Sequence, residues 1–444
     1  MDEEELLTKL TDGDDSERAE AAKELGLMGY NKAVESLIKA LKDQVDTVRA
    51  NAALALGHIG DTKALKALED VLDDESWQVR HDALSSLARL GFPVDGIIPS
   101  LEDDIPEVRV KAVETLGTIG GKKALKAVLN HMDSEGVSDH MAEALESIGG
   151  EDTIEPLKTL YMDGDHSIRE IAIRALGKIE NDMVKEILID ALKDSSWRVR
   201  EEAIKGLGRI GDKDIQPHLH DCLESDNVYV VESALNSIAA IGEGADLSTL
   251  EEMLDHDEPS IRAAAAKAIG AVGGKEAEDI LLSTLLDRTH PVVMWSIVES
   301  LGNLAKQQDT SKIRTAMRSS SNEQKYMLAL ALVIAGDDMG VKPLLDCMVH
   351  ESWKFRQKAA EGLSEIPLME LSQNKLDKVF RAMLSAMEDN DRWVRAAAVS
   401  FLGDILKEEP LKDYHEKANS ALKNRLKQEI DEDVRSALEK AFSD

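Results

Sequence analysis

The chain has little of what most enzymes and membrane proteins are built from. Its 444 residues include two cysteines, ten prolines and five each of Trp, Tyr and Phe. Cys222 and Cys347 lie far apart and match no metal or redox spacing, which points to a reducing, cytoplasmic compartment. No apolar run reaches the roughly 18 residues that a membrane helix needs. The opening Met1-Asp2-Glu3-Glu4-Glu5-Leu6-Leu7 lacks the basic start and apolar stretch of a signal peptide. Positive charge is scarce: 53 Lys and Arg stand against 86 Asp and Glu, a formal net charge of −33. So acidic a surface repels phosphate, which disfavours nucleic acid and anionic lipid as partners. The imbalance is uneven, with −31 on residues 1–300 and only −2 on the remainder.

What is present is order. Hydrophobic residues make up 43% of the chain and recur at fixed spacing, which excludes disorder. The segment Val48-Arg49-Ala50-Asn51-Ala52-Ala53-Leu54-Ala55-Leu56-Gly57-His58-Ile59-Gly60 shares its template with those starting at Val108-Arg109, Val199-Arg200 and Ile261-Arg262. Anchors aligned on the arginine fall at residues 18, 49, 80, 109, 138, 169, 200, 231, 262, 294, 325, 356, 395 and 435, mostly 31 apart. Fourteen units of this length signal a solenoid of helix pairs.

Each column of the repeat has a physical role. Positions +3, +7 and +10 from the anchor are apolar and share one helix face, as in Ala52, Leu56 and Ile59, so they are expected to be buried. Position −4 is Ser, Asp or Asn in ten units, Asp14, Ser76, Ser134, Asp165, Ser196, Asn227, Ser321, Ser352, Asp391 and Asp431, and predicts N-caps. Pro106, Pro259 and Pro291 follow at the tolerated first helical position. Glycine at +11, as in Gly29, Gly60, Gly120 and Gly211, predicts a left-handed stop, and glycine at +8 a close helix–helix approach. A second amphipathic helix, such as residues 61–72, precedes each anchor.

The motif Asp…Val-Arg-x-x-Ala-x-x-x-Leu-Gly-x-Ile-Gly resembles the short HEAT repeats of prokaryotic, phycobilisome-lyase-like type. The resemblance implies an all-α, right-handed α-solenoid of about fourteen antiparallel helix pairs. Twelve short repeats would occupy 1–366. Two longer ones would occupy 367–444, after a bend near Pro367 or with lengthened first helices.

HEAT scaffolds also carry enzymes. Deoxyhypusine hydroxylases hold two irons with repeated His-Glu pairs at what would be columns +1 and +2. Here only His81-Asp82 comes near, while His350-Glu351 and His415-Glu416 fall elsewhere in their units. The phycobilin lyases give no residue that can be assigned to a bilin. His218 and His220 would point to opposite sides of a helix. Phosphate loop, nucleophile elbow and zinc spacing are all missing. No catalysis and no cofactor are expected; the alternative is a lyase-type or metal-dependent hydroxylase-related protein acting on a cofactor-bearing or modified protein.

A protein partner is therefore expected, one with a basic surface suiting the acidic balance. The ridge at +1, +2, +5 and +9 would line the concave side. It carries Asp139, Glu143, Glu170, Glu201, Glu202 and Glu232 with Arg174, Lys178, Lys205 and Arg209, and i,i+4 pairing is expected for Glu170–Arg174 and Glu201–Lys205. Around Met294 and Lys325 the anchor arginine is lost, and Trp295, Tyr326, Met327 and Leu330 take the outward columns. Stacked in neighbouring repeats, these four would form an exposed apolar patch of interface composition. Trp77, Trp197 and Trp353, all at −3, are expected to pack at the turns. The regular Arg49, Arg80, Arg109, Arg169, Arg200 and Arg262 are expected to pair with aspartates of the inter-helix turns, such as Asp74 and Asp194, pinning one repeat to the next. The five-residue windows at −7 to −3 hold 29 acids and 5 bases, so much of the net charge belongs to the repeat itself.

Overall fold

A computed structural model describes residues 2–131, 138–287, 291–366 and 368–442. Asp46–Ile59 shows why a second helix forms where it does. Its alanines and leucines favour helix, and Ala52, Ala53, Ala55 and Leu56 are buried. It ends at Gly60, whose φ of 81° is left-handed and whose N–H reaches the Leu56 carbonyl at 3.1 Å. Most L-residues there would cost about 1–2 kcal/mol, asparagine less. All nine glycines at +11 have positive φ, from Gly29 to Gly336.

Fourteen helix pairs follow one another, with no strand among the described residues: the fold is an all-α solenoid. The chain divides into two compact units, 1–210 and 211–444, with seven pairs each. Inside a unit, consecutive second helices pack directly on one another and each first helix leans on the second helix of its own repeat. This makes two layers with the core between them.

The buried face is wider than the three-column stripe. Columns +3 and +7 are buried, as in Ala203 and Leu207; at +10, Leu304, Ile366 and Ile405 are buried, whereas Ile59, Ile119 and Ile210 sit in the last turn and are half-exposed. Columns +4 and +6 join the core as well, because each second helix is flanked by two others. Column +6 is mostly small, and Ala55, Ser86, Ala144, Gly206 and Ser300 in it face the +8 glycine of the preceding repeat. A Cβ on Gly26 would lie 2.5 Å from Ala55 Cα, and one on Gly177 would lie 2.9 Å from Gly206 Cα. The hydroxyls in this column cross the same gap, Ser86 Oγ donating to the Ala53 carbonyl at 2.8 Å and Thr115 Oγ1 to Leu84 at 3.3 Å.

Capping follows residue type. Asp14, Asp165, Asn227, Asp391 and Asp431 accept from amides of the first turn. Ser76 and Ser352 make no such bond; the Ser76 hydroxyl turns to Gln78 Oε1 at 2.9 Å, while its backbone N–H is held by Asp74. Ser134 lies outside the described residues, as does Pro367 with the bend expected there. The extra length of the last two repeats appears in their first helices, Gln373–Ala386 and Lys412–Gln428, against seven residues in Val34–Ala40.

Candidate partner-binding surface

The arginine column builds a ladder along the inter-helix turns. Arg49 donates from Nε and Nη2 to the Asp74 carboxylate at 2.8 and 2.9 Å, and from Nη1 to the Asp43 carbonyl at 2.8 Å. Arg80 repeats this with Asp103 at 2.7 and 2.8 Å and with the Asp74 carbonyl at 2.7 Å. Each turn aspartate therefore holds the preceding repeat's guanidinium on its carboxylate and its own repeat's on its carbonyl. Arg18–Asp43, Arg169–Asp194 and Arg356–Asp389 are equivalent, and Arg395 pairs with Glu429. Arg109, Arg200 and Arg262 each place Nη1 on carbonyls of their own turns. Burial alone would raise the Asp74 carboxyl, but the Arg49 hydrogen bonds and the Ser76 N–H outweigh it and hold it below the usual range.

The ladder changes near the second half. Met294 and Lys325 replace arginine, and Asp337 is met instead by Arg314 from the first helix Ser311–Ser319, at 2.5 Å. Beside this change lie the four residues of the expected patch. Met327 and Leu330 are 2% and 7% exposed, and Trp295 and Tyr326 are half-buried, so they do not form an exposed patch. The reason is a contact across two repeats: Trp295, on Pro291–Gln307, meets Phe355, on Trp353–Ser364, edge-on at 5.7 Å. Tyr326 meets His350 at 5.9 Å, and His350 lies 4.7 Å from Phe355. These rings enclose Met327 and Leu330 between the helices.

A cleft of about 240 Å³ opens next to the rings. Apolar Trp295, Val298, Leu330 and Ile334 line it together with Asn303, Glu299, Glu361, Glu365 and Lys358. Gly362 leaves room for Leu330, whose Cδ1 would lie 2.2 Å from a Cβ there. Lys358 pairs with Glu361 at 2.7 Å, whereas Glu299 and Glu365 are exposed and form no ion pair among the described residues. The repeat pattern does not single out Phe355, and in sequence His350 stands out only as a possible metal ligand. A signal for the ring contact exists all the same: Phe355 is the one aromatic in a column otherwise filled mainly by valine and isoleucine.

The other expected residues are placed as follows. On the charged ridge of the first unit, Glu201 and Lys205 pair at 2.8 Å, but Arg174 meets Glu146 of the preceding repeat at 3.2 Å rather than Glu170. The side chain of Asp139 lies outside the described residues. Trp77 and Trp353 are each 37% exposed rather than packed away, because they begin their helices at the solvent edge; Lys354 lies over Trp353 at 5.8 Å and Arg198 over Trp197 at 5.2 Å. His81 Nδ1 lies 2.9 Å from Asp82, and no three His, Cys, Asp or Glu side chains converge on a metal position among the described residues. His220 Nε2 accepts from the Asp246 N–H at 3.1 Å. No helix among the described residues is long and apolar enough to cross a membrane.

Comparison with known proteins agrees with this geometry. The family described as HEAT repeats matches residues 3–88, 70–139, 94–177, 154–239, 184–262, 247–333 and 341–443. No curated protein sequence matches. Among solved structures, yeast importin-beta (Kap95p) is 14% identical, covering 99% of this chain and 70% of that one, with a TM-score of 0.56. The Kap95:Nup1 complex gives 14% identity over the same shares with a TM-score of 0.58. At these identities the likeness is one of fold. With the family matched along nearly its whole length and the repeat built as that family requires, this chain belongs to the HEAT-repeat proteins.

Proposed function

We propose that this protein is a non-enzymatic scaffold or accessory subunit that docks a partner protein on its second helices between Trp295 and Glu365. The cleft carries the reading: half-buried Trp295 with Leu330 lines it, half-buried Tyr326 lies in the adjoining ring cluster, and charged Glu299, Glu365 and Lys358 stand beside them, an interface-like composition. Its volume falls below the roughly 300–1,000 Å³ of small-molecule and cofactor sites. That Kap95p is held in a complex with Nup1 supports a protein-binding use of this architecture. The 31-residue period favours the short prokaryotic repeat type, and two buried cysteines far apart in the chain favour a cytoplasmic setting.

The test is capture of partners from the native organism with immobilised wild-type protein and with Trp295→Ala/Tyr326→Ala, read by quantitative mass spectrometry. Circular dichroism would confirm equal helicity. A protein retained by the wild type should fall at least tenfold with the variant, about the loss from one hot-spot side chain. Equal capture by both would remove the cleft as the docking site.

A further inference from the structure

The cleft also specifies what kind of side chain it takes. At about 240 Å³ the cleft has room for one long side chain. Its lining mixes apolar side chains with acidic ones: Trp295, Val298, Leu330 and Ile334 stand beside Asn303 and three glutamates against one lysine, with Glu361 already engaged by Lys358 and by Gln357 at 2.6 Å. Glu299 and Glu365 are left as carboxylates without an ion pair among the described residues. The half-buried Trp295 ring lines the same space. An occupant must offer an apolar stem, a cationic head and a flat surface for the indole.

We propose that the cleft is an arginine pocket, taking the side chain of an arginine on a basic segment of the partner protein. The stem would lie along Val298, Leu330 and Ile334, and the guanidinium would reach Glu299 and Glu365 beside Trp295. Guanidinium forks match carboxylate geometry and stack on aromatic faces, which the more strongly hydrated ammonium of lysine does less well. Bulk charge does not supply this selectivity, because residues 301–444 are nearly neutral. The assignment rests on the docking reading of the same cleft and sharpens it.

The experiment titrates the full chain with a fluorescein-labelled peptide of three Gly-Arg-Gly units, and with its lysine and citrulline counterparts, by fluorescence anisotropy at ~150 mM salt to suppress long-range attraction. The arginine peptide should bind at least about tenfold tighter than the uncharged citrulline peptide and measurably tighter than the lysine one. Glu299→Gln/Glu365→Gln should weaken it about tenfold. Glu251→Gln/Glu252→Gln removes the same charge from the exposed side of the first helix Leu247–Met253 and should change binding less than twofold. Absent binding at millimolar peptide, equal weakening by both pairs, or equal affinity for arginine and either counterpart would overturn the proposal. If the captured partner depends on Trp295 and Tyr326 but not on Glu299 and Glu365, docking stands and the arginine assignment falls.

Discussion

Replacing Glu429 by glutamine should release the last repeat while its neighbours stay folded. The Glu429 side chain is fully shielded and accepts from Arg395 Nε and Nη2 at 2.9 Å each, from Arg425 at 2.7 Å, and from the N–H groups of Ile430 and Asp431 at 3.2 and 3.1 Å. Burial alone would raise its pKa. The Arg395, Asp431 and Arg425 donors instead bring it from an ordinary 4.5 down to about 2. That separation corresponds to about 3 kcal/mol in favour of the ionised form. The terminal helix Glu432–Lys440 buries only Val434 and Leu438, worth roughly 3–6 kcal/mol before chain entropy is counted. Losing the carboxylate removes a comparable amount and turns an amide N–H toward two guanidinium groups. Because the last repeat packs on the one before it, the opening need not spread further. Hydrogen exchange read by mass spectrometry should show peptides from 412–440 losing protection about 100-fold, with Trp353–Ser364 unchanged. Acid should act on the wild type in the same way. A carboxyl whose pKa is lowered on folding stabilises above its unfolded value, so the effect is present above pH 4.5 and is lost as pH falls toward about 2. Uniform loss of protection, no loss, or a terminal repeat that opens between pH 5 and 7 would refute the reasoning.

Two further outcomes follow from the packing, and a third from burial. Gly26→Ala should cost about 1–3 kcal/mol in urea unfolding, since its Cβ would meet the backbone of Ala55. A methyl group on Gly60 would have nothing within 4 Å, so Gly60→Ala should cost only the left-handed backbone term and Gly60→Asn should recover most of it; equal stability of the two Gly60 variants would contradict this. Burial pushes the Cys347 thiol up to about 12, so iodoacetamide at pH 8 should alkylate it only in denaturant. Rapid labelling of the native chain would show that the 322–364 region opens readily.

The parts legible in the sequence were those where a column tolerates few residues. Only glycine suits both the left-handed stop at Gly60 and the contact at Gly26, so those columns announced themselves. Serine at position −4 was an uneven signal: Ser321 stands in a capping box with Gln324, but the Ser76 hydroxyl finds another acceptor in Gln78. The sequence could supply Asp74 and Arg80 as members of one turn, but not that the Asp74 carboxylate serves Arg49, because that pairing depends on how repeats stack. The same limit hid the Trp295–Phe355 contact, which joins helices two repeats apart. Burial of Met327 and Leu330 follows from that contact and not from their own helix period.

Where it runs unbroken, as from Arg18 to Asp103, the ladder also gives the repeats a mechanical asymmetry. Along the turn edge, neighbouring repeats are tied by short, shielded, two-point links such as Arg49–Asp74. Along the glycine edge they meet through long, solvated lysines, such as Lys122–Asp152 and Lys123–Asp95, both at 2.9 Å. One side behaves as an inextensible cord and the other as a row of soft springs. Under load such a body does not stretch evenly; it flexes with the cord as its neutral line, opening and closing the spacing of the glycine turns.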